Sequence, residues 1–204
     1  MSVLDFILIA VEAYLLGSLN AAIVVSKLLR GYDIRDKGSG NAGLTNSLRT
    51  MGAKCTVLVL LGDVGKGVVA ALVGGYLAGP LGKLVSGIFV MLGHMFPLYF
   101  GFRGGKGALV GVTMLFVFDW RVFCIAMAVF TVVVVLTRYV SLGSMLGAAS
   151  FPFSTWFLYH DPLYVALAAL MAAGLIFMHR GNISRLIAGT ERRLSFRGKK
   201  EEDK

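Results

Sequence analysis

From residue 3 to residue 178 the sequence is a succession of long apolar runs broken by short polar stretches. A helix needs about 20 mainly apolar residues to cross bilayer hydrocarbon. By that measure the runs fall at 3–29, 55–78, 84–100, 107–118, 122–137, 142–159 and 163–178. The expected fold is therefore all-α and polytopic, with about seven transmembrane helices. The run at 107–118 is short, and Asp119, Trp120 and Arg121 read either as a tight turn between two spans or as a break inside one tilted segment. With 57% hydrophobic and 15% charged residues, the chain has too little polar surface for a water-soluble globule. A single integral membrane domain is expected over 1–191, followed by a charged, disordered cytoplasmic tail over 192–204.

The net charge of +9 is concentrated between Lys27 and Lys54 and after Met178. With the N-terminus outside and the C-terminus cytoplasmic, nearly every Lys and Arg falls on the inner side, as the positive-inside rule asks. Basic residues placed this way suit anionic lipid headgroups; the aromatic and basic interleaving of a nucleic-acid binder is not seen. The N-terminus has no basic region ahead of its apolar run and no obvious cleavage site, so it reads as a retained span. Cys55 and Cys124 would lie near opposite faces and have no metal-ligand company. No metal and no cofactor is expected.

In this topology four polar segments, 38–49, 101–106, 137–141 and 179–185, meet at the cytoplasmic face. The first holds Gly38, Ser39, Gly40, Asn41, Gly43, Thr45, Asn46 and Arg49. Its glycines permit positive φ and can turn successive N–H groups towards one point, a nest suited to phosphate oxygens; taken alone, a solvated loop is the commoner reading. The second holds Gly104, Gly105, Lys106 and Gly107. It lacks the spacing of a Walker A loop, yet glycines opening a helix beside a lysine make an anion site, and helix packing is the rival explanation. Ser141 opens the next run as a helix cap or as a donor to phosphate or carbonyl. His179 and Asn182 share a helical face, with Arg185, Gly189 and Glu191 beyond.

Inside the runs, Asp63 and Lys66 stand one turn apart and read first as an ion pair within the membrane, secondly as a support for the polar loops. His94 is expected to hydrogen-bond to a neighbouring helix rather than to substrate. Glu12 has no evident partner.

Several ordered motifs resemble one family. Asp33-Ile34-Arg35 leads into Gly38-Ser39-Gly40-Asn41 and then Thr45-Asn46 with Arg49; Gly93-His94 precedes Phe96-Pro97; Gly104-Gly105-Lys106-Gly107, Arg138-Tyr139-Val140-Ser141 and His179-Arg180 with Asn182-Ile183 and Arg185-Leu186 follow. Together they resemble the bacterial acyl-phosphate:glycerol-3-phosphate acyltransferases over almost the whole chain. The resemblance implies a membrane enzyme that transfers a fatty acyl group from acyl phosphate to the 1-hydroxyl of glycerol 3-phosphate, yielding lysophosphatidic acid for phospholipid biosynthesis. It implies a bacterial inner-membrane location, an active site facing the cytoplasm, and a functional link to a soluble acyltransferase that makes acyl phosphate.

On this resemblance Ser141, His179 and Asn182 are the expected catalytic residues. Ser39, Gly40, Asn41, Thr45, Asn46, Arg49, Gly104, Gly105, Lys106 and Gly107 are the expected substrate-binding residues. Arg49 and Lys106 are assigned to the glycerol-phosphate anion, His179 and Asn182 to its hydroxyl end, and the glycine-loop N–H groups with Ser141 to the acyl phosphate. The proton acceptor is His179 or a substrate phosphate oxygen. The chain departs from the family's usual residues at Asn20, Leu44 and Ala108-Leu109-Val110, which keeps a paralogue with another phosphorylated acceptor or donor as the alternative. A transporter of small phosphorylated metabolites would need binding determinants open to both faces, and in a lipid-binding scaffold loss of Arg49 or Lys106 would weaken membrane partnering uniformly without abolishing any turnover.

Overall fold

Every apolar run becomes helix, but runs and spans do not correspond one to one. The computed structural model describes residues 1–194, so the tail from 195 onward lies outside the described residues. Its helices are α1 (Val3–Ser18), α2 (Ala21–Arg30), α3 (Leu44–Met51), α4 (Ala53–Met95), α5 (Ala108–Phe118), α6 (Trp120–Thr137), α7 (Val140–Tyr159), α8 (Pro162–Met178) and α9 (Arg180–Ile187). Local chemistry sets several boundaries. Ser2 and Asp5 form a capping box on α1, Asp119 caps α6 through the Arg121 N–H, and Asp161 caps α8 with Pro162 opening it.

The expected seven spans are corrected by these helices. Three are long and apolar enough to cross a membrane, over Val3–Arg30, Ala53–Phe100 and Trp120–Thr137, or up to four if Pro162–Met178 and Arg180–Ile187, bent by 58°, form one span. The runs at 55–78 and 84–100 are two arms of one element, α4, broken where Ala78 and Gly79 (φ 56°) leave helical geometry before Pro80. Helix α5 has 11 residues, which at 1.5 Å per residue covers only about half of the hydrocarbon. In α7 the hydroxyls of Ser141, Ser144, Ser150, Ser154 and Thr155 dilute an otherwise apolar 20-residue helix. Helix lengths and composition do not orient the termini, so the N-outside arrangement is withdrawn as a property of the fold. Asp119 does separate α5 from α6, in extended conformation and held by Arg121 and the Tyr159 hydroxyl.

Helix α1 lies in close contact with α4 because glycines face each other. A side chain on Gly17 would overlap the Val90 carbonyl, and one on Gly93 would overlap the Tyr14 carbonyl. Gly93→Val is therefore expected to cost about 1–3 kcal/mol, the range for overfilling a packed contact. A lowered unfolding midpoint in detergent reports it, and Gly65→Ala, in α4 with open space around Gly65, is the control that should not lower the midpoint.

The two arms of α4 also enclose charge. The Lys66 Nζ lies 2.7 Å from Asp63 Oδ1, and it donates to the carbonyls of Gly17 (3.1 Å) and Leu19 (3.0 Å), where α1 ends. The expected Asp63–Lys66 pair thus forms and also clasps the end of α1. His94, from the far arm, joins it: Nδ1 is 3.0 Å from Lys66 Nζ.

Candidate active site

The loop between α2 and α3 is shaped by Asn46. Its side-chain oxygen accepts from the Ser39 N–H (2.9 Å), and its amide donates to the carbonyls of Lys37 (3.0 Å) and Ile34 (3.3 Å). Gly38 and Gly40 take positive φ around it. Arg35 ties this loop to the next one, pairing with Asp33 and donating to the carbonyls of Phe100 (2.7 Å) and Arg103 (2.9 Å). The hydrogen bond from Arg35 holds the Asp33 carboxyl well below the usual range, against burial. Asn20 caps α2 and donates to the Ala42 carbonyl, so this departure from the family pattern supports the first loop from below.

The second glycine loop is docked on the end of α4. Gly104 N–H donates to the Met95 carbonyl and Gly105 N–H to the His94 carbonyl, both at 3.0 Å. A Cβ on Gly104 would overlap the His94 carbonyl, and one on Gly105 would overlap the His94 ring and the Ala42 carbonyl. These glycines permit close approach of backbone to backbone. The N–H groups of Ser39, Gly40, Gly104 and Gly105 are all committed to partners within the protein, so they do not form the phosphate nest that the sequence led us to expect.

Lys106 follows this docked loop and reaches α9, where its Nζ donates to Asn182 Oδ1. The Asn182 amide donates to Glu191 Oε1 (2.6 Å), Ser141 Oγ donates to the same oxygen (2.6 Å), and Arg185 Nε donates to Glu191 Oε2 (2.7 Å). Burial acts to raise the Glu191 carboxyl, but the hydrogen bonds from Ser141, Asn182 and Arg185 outweigh it and hold the group below its ordinary value. Lys106 is pushed down by burial and then by the charges of Arg185 and Arg49. Arg49 has no hydrogen-bond partner among the described residues. His179 sits at the end of α8 with Nδ1 2.8 Å from the Leu175 carbonyl, which places the proton on Nδ1 and leaves Nε2 as an acceptor. Burial, with a contribution from the Lys106 charge, lowers His179 to about 4.

All these groups surround one cavity of about 810 Å³. Of the residues expected at the site, Ser39, Asn41, Thr45, Asn46, Arg49, Lys106, Gly107, Ser141, His179 and Asn182 line it; Gly40, Gly104 and Gly105 lie behind. Its mouth is cationic, with Arg185, Arg192 and Arg193 added to Arg49 and Lys106, and its inner arm is apolar, bounded by residues such as Met91, Leu115, Phe130, Phe151 and Met171. Such a shape accepts an anionic head and an acyl chain together. The sequence reading gave no role to Glu191, the hub of this end. Its sequence signal is an acid set directly before Arg192 and Arg193 after α9.

A family model described as glycerol-3-phosphate acyltransferase matches residues 7–189. A glycerol-3-phosphate acyltransferase of Thermoanaerobacter sp. (strain X514) is 43% identical over 188 residues, covering 92% of this chain and 95% of that protein. One from Clostridioides difficile (strain 630) is 40% identical over 208 residues, covering 99% and 100%. The fold matches the crystal structure of PlsY (YgiH), an integral membrane glycerol 3-phosphate acyltransferase, in its glycerol 3-phosphate form, with a TM-score of 0.87 and 34% identity over 93% of this chain and 96% of that one. The lysophosphatidic acid form of that protein gives a TM-score of 0.84. From the family match, the relatives and the shared fold together, the chain belongs to the membrane-integral glycerol-3-phosphate acyltransferase family.

Proposed function

We propose that this protein transfers an acyl group from acyl phosphate to the 1-hydroxyl of glycerol 3-phosphate, producing lysophosphatidic acid and phosphate. The observation that carries the reading is one cavity whose wall combines cationic residues with an apolar arm and also includes Ser141, His179 and Asn182. The 34% identical PlsY has been crystallised in glycerol 3-phosphate and lysophosphatidic acid forms, which supports the same acceptor and product here.

Acyl phosphate is a mixed anhydride and already activated, so the residues need only align a hydroxyl with a carbonyl and hold two phosphates. Because the N–H groups of Ser39, Gly40, Gly104 and Gly105 are committed elsewhere, side chains take much of that work in this reading. Arg49 and Lys106 hold the glycerol-phosphate anion, Asn182 and His179 hold the hydroxyl end, and Ser39, Thr45 and Ser141 donate to the acyl phosphate. A base works best with a pKa near the operating pH. His179, lowered to about 4, is poorly matched, whereas the second ionisation of a phosphate monoester lies near 6. The proton of the attacking hydroxyl therefore goes to a substrate phosphate oxygen, and His179 orients the hydroxyl in neutral form.

The sign of the pH dependence follows. His179 stays neutral above about pH 4, so an acid limb near pH 6 belongs to the substrate. The rate should fall as pH drops through 6, and His179→Gln should lower the rate without moving that limb. A limb that disappeared in His179→Gln would return the proton to His179.

The test of the whole reading is phosphate release from synthetic acyl phosphate by purified protein in detergent, with and without glycerol 3-phosphate and with other phosphorylated acceptors. Release that needs glycerol 3-phosphate and yields lysophosphatidic acid is expected. Release with another acceptor only would assign the chain to a paralogous activity.

This is an integral, multi-pass bacterial membrane protein. We place its active site on the cytoplasmic side, since hydrogen bonds from Arg35 to the Arg103 carbonyl, from Lys106 to Asn182 and from the Leu194 N–H to the Arg138 carbonyl tie the basic polar segments to one another, and positive charge favours the cytoplasmic face. A soluble acyltransferase that makes acyl phosphate is the functional partner this reading calls for.

A further inference from the structure

We infer that His94 is a further substrate-contacting residue, donating from Nε2 to a phosphate oxygen in the cavity; this rests on the phosphate-binding reading of that cavity given above. The reason lies in how Lys66 distributes its three protons. An ammonium group has three donors and no acceptor. Its directed bonds go to the carbonyls of Gly17 and Leu19 and to His94 Nδ1, at 3.1, 3.0 and 3.0 Å. Asp63 lies 2.7 Å away, yet its carboxylate oxygens have no hydrogen-bond partner among the described residues. Asp63 shares that ammonium, and its Oδ1 lies 3.6 Å from His94 Nδ1, farther than the 3.0 Å that separates Nδ1 from Lys66 Nζ.

A nitrogen facing a donor-only group must accept. His94 therefore carries its proton on Nε2. The ring is 3% exposed and lines the cavity, and Nε2 has no hydrogen-bond partner among the described residues. It lies against Gly105, at a point where any Cβ on that residue would overlap it, and the Ala42 carbonyl of the first loop adjoins the same spot. An N–H donor on a cavity wall that has no protein partner is free to meet an acceptor on a bound ligand. The His94 ring lines the same cavity as Ser39, Arg49 and Lys106. The acceptor that fits is an anionic oxygen of a bound phosphate. Asp63 and Lys66 are the positioning residues that hold His94 in this tautomer.

Two phosphates enter the proposed reaction, and the experiment separates them. KM for glycerol 3-phosphate and KM for acyl phosphate are measured separately in wild type, His94→Phe and His94→Gln. Phe keeps the ring and removes the donor; Gln restores an N–H. His94→Phe is expected to raise KM for one of the two substrates by about tenfold, the scale of one lost hydrogen bond to a charged group, with His94→Gln recovering much of it. The substrate affected identifies the phosphate. A purely packing role predicts that the ring-shaped Phe does better than Gln. If His94→Phe keeps both KM values at wild type, or His94→Gln is no better than His94→Phe, the inference is wrong.

A second measurement uses wild-type protein, so it stands even if the variants fail to fold. In protein labelled with 15N-histidine, the His94 signal should show the Nε2–H tautomer and shift on adding glycerol 3-phosphate or an acyl phosphonate. A Nδ1–H tautomer, or a signal unmoved by both ligands, overturns the inference. Failure of the wider functional reading would look different, as wild-type protein without turnover.

Discussion

Lys106→Ala is expected to lower kcat/KM for acyl transfer by about 10³-fold, the upper range for losing one group that stabilises developing anionic charge in a water-poor site. Two features make this the most damaging single change at the mouth. The Lys106 ammonium bonds the Asn182 side chain, linking the second glycine loop to α9. It also stands among Arg49 and Arg185 with burial pushing its pKa down, an arrangement that has a use only when an anion arrives. Lys106→Arg should recover only part of the loss, because a planar fork replaces a compact point charge. Lysophosphatidic acid formation reports the rate, and an unchanged unfolding midpoint shows that the fold survives. Activity within tenfold of wild type would remove Lys106 from the phosphate site.

Glu191→Ala should cost about 1–3 kcal/mol of local order, the range for leaving hydrogen-bonded groups without their charged partner, with a matching loss of activity. The Glu191 side chain is 8% exposed and receives Ser141, Asn182 and Arg185 on its two oxygens. Without it, Asn182 loses the bond that sets its amide orientation, and Ser141 loses the acceptor that fixes its hydroxyl. Glu191→Gln keeps the shape but not the charge. It should leave Arg185 poorly satisfied and fall between wild type and alanine, both in unfolding midpoint and in KM for glycerol 3-phosphate. If Glu191→Ala matched wild type in both, the cluster would not organise the site.

The expected phosphate nest and the expected span count went astray for related reasons. Glycine at 104 and 105 reads from sequence as freedom to expose N–H groups. In the fold the same freedom lets the loop dock on the His94 and Met95 carbonyls, and a docked N–H has no proton left to offer a ligand. Likewise the runs at 55–78 and 84–100 have the length of separate spans, but they are the arms of one kinked element whose Gly74 and Gly82 pack against each other across the break. Which N–H pairs with which carbonyl depends on neighbours far along the chain, and hydropathy counts do not contain them. His94 shows the same point, since expectation sent it to a neighbouring helix and left the direction of its second nitrogen open.

What the sequence determined by itself is the material and its order. The apolar runs dictate helices, and the ordered polar motifs carry the family and include Lys106, Ser141, His179 and Asn182, which line the cavity. These are properties of residue type and short-range spacing. The tertiary structure alone decided that Glu191 joins Ser141 to Asn182 across 50 and 9 positions of chain, that Lys66 of one arm of α4 meets His94 of the other, and that the N–H groups of Gly104 and Gly105 are spent on the Met95 and His94 carbonyls. Each of these is an allocation of a limited set of donors among acceptors that only folding brings within about 3 Å.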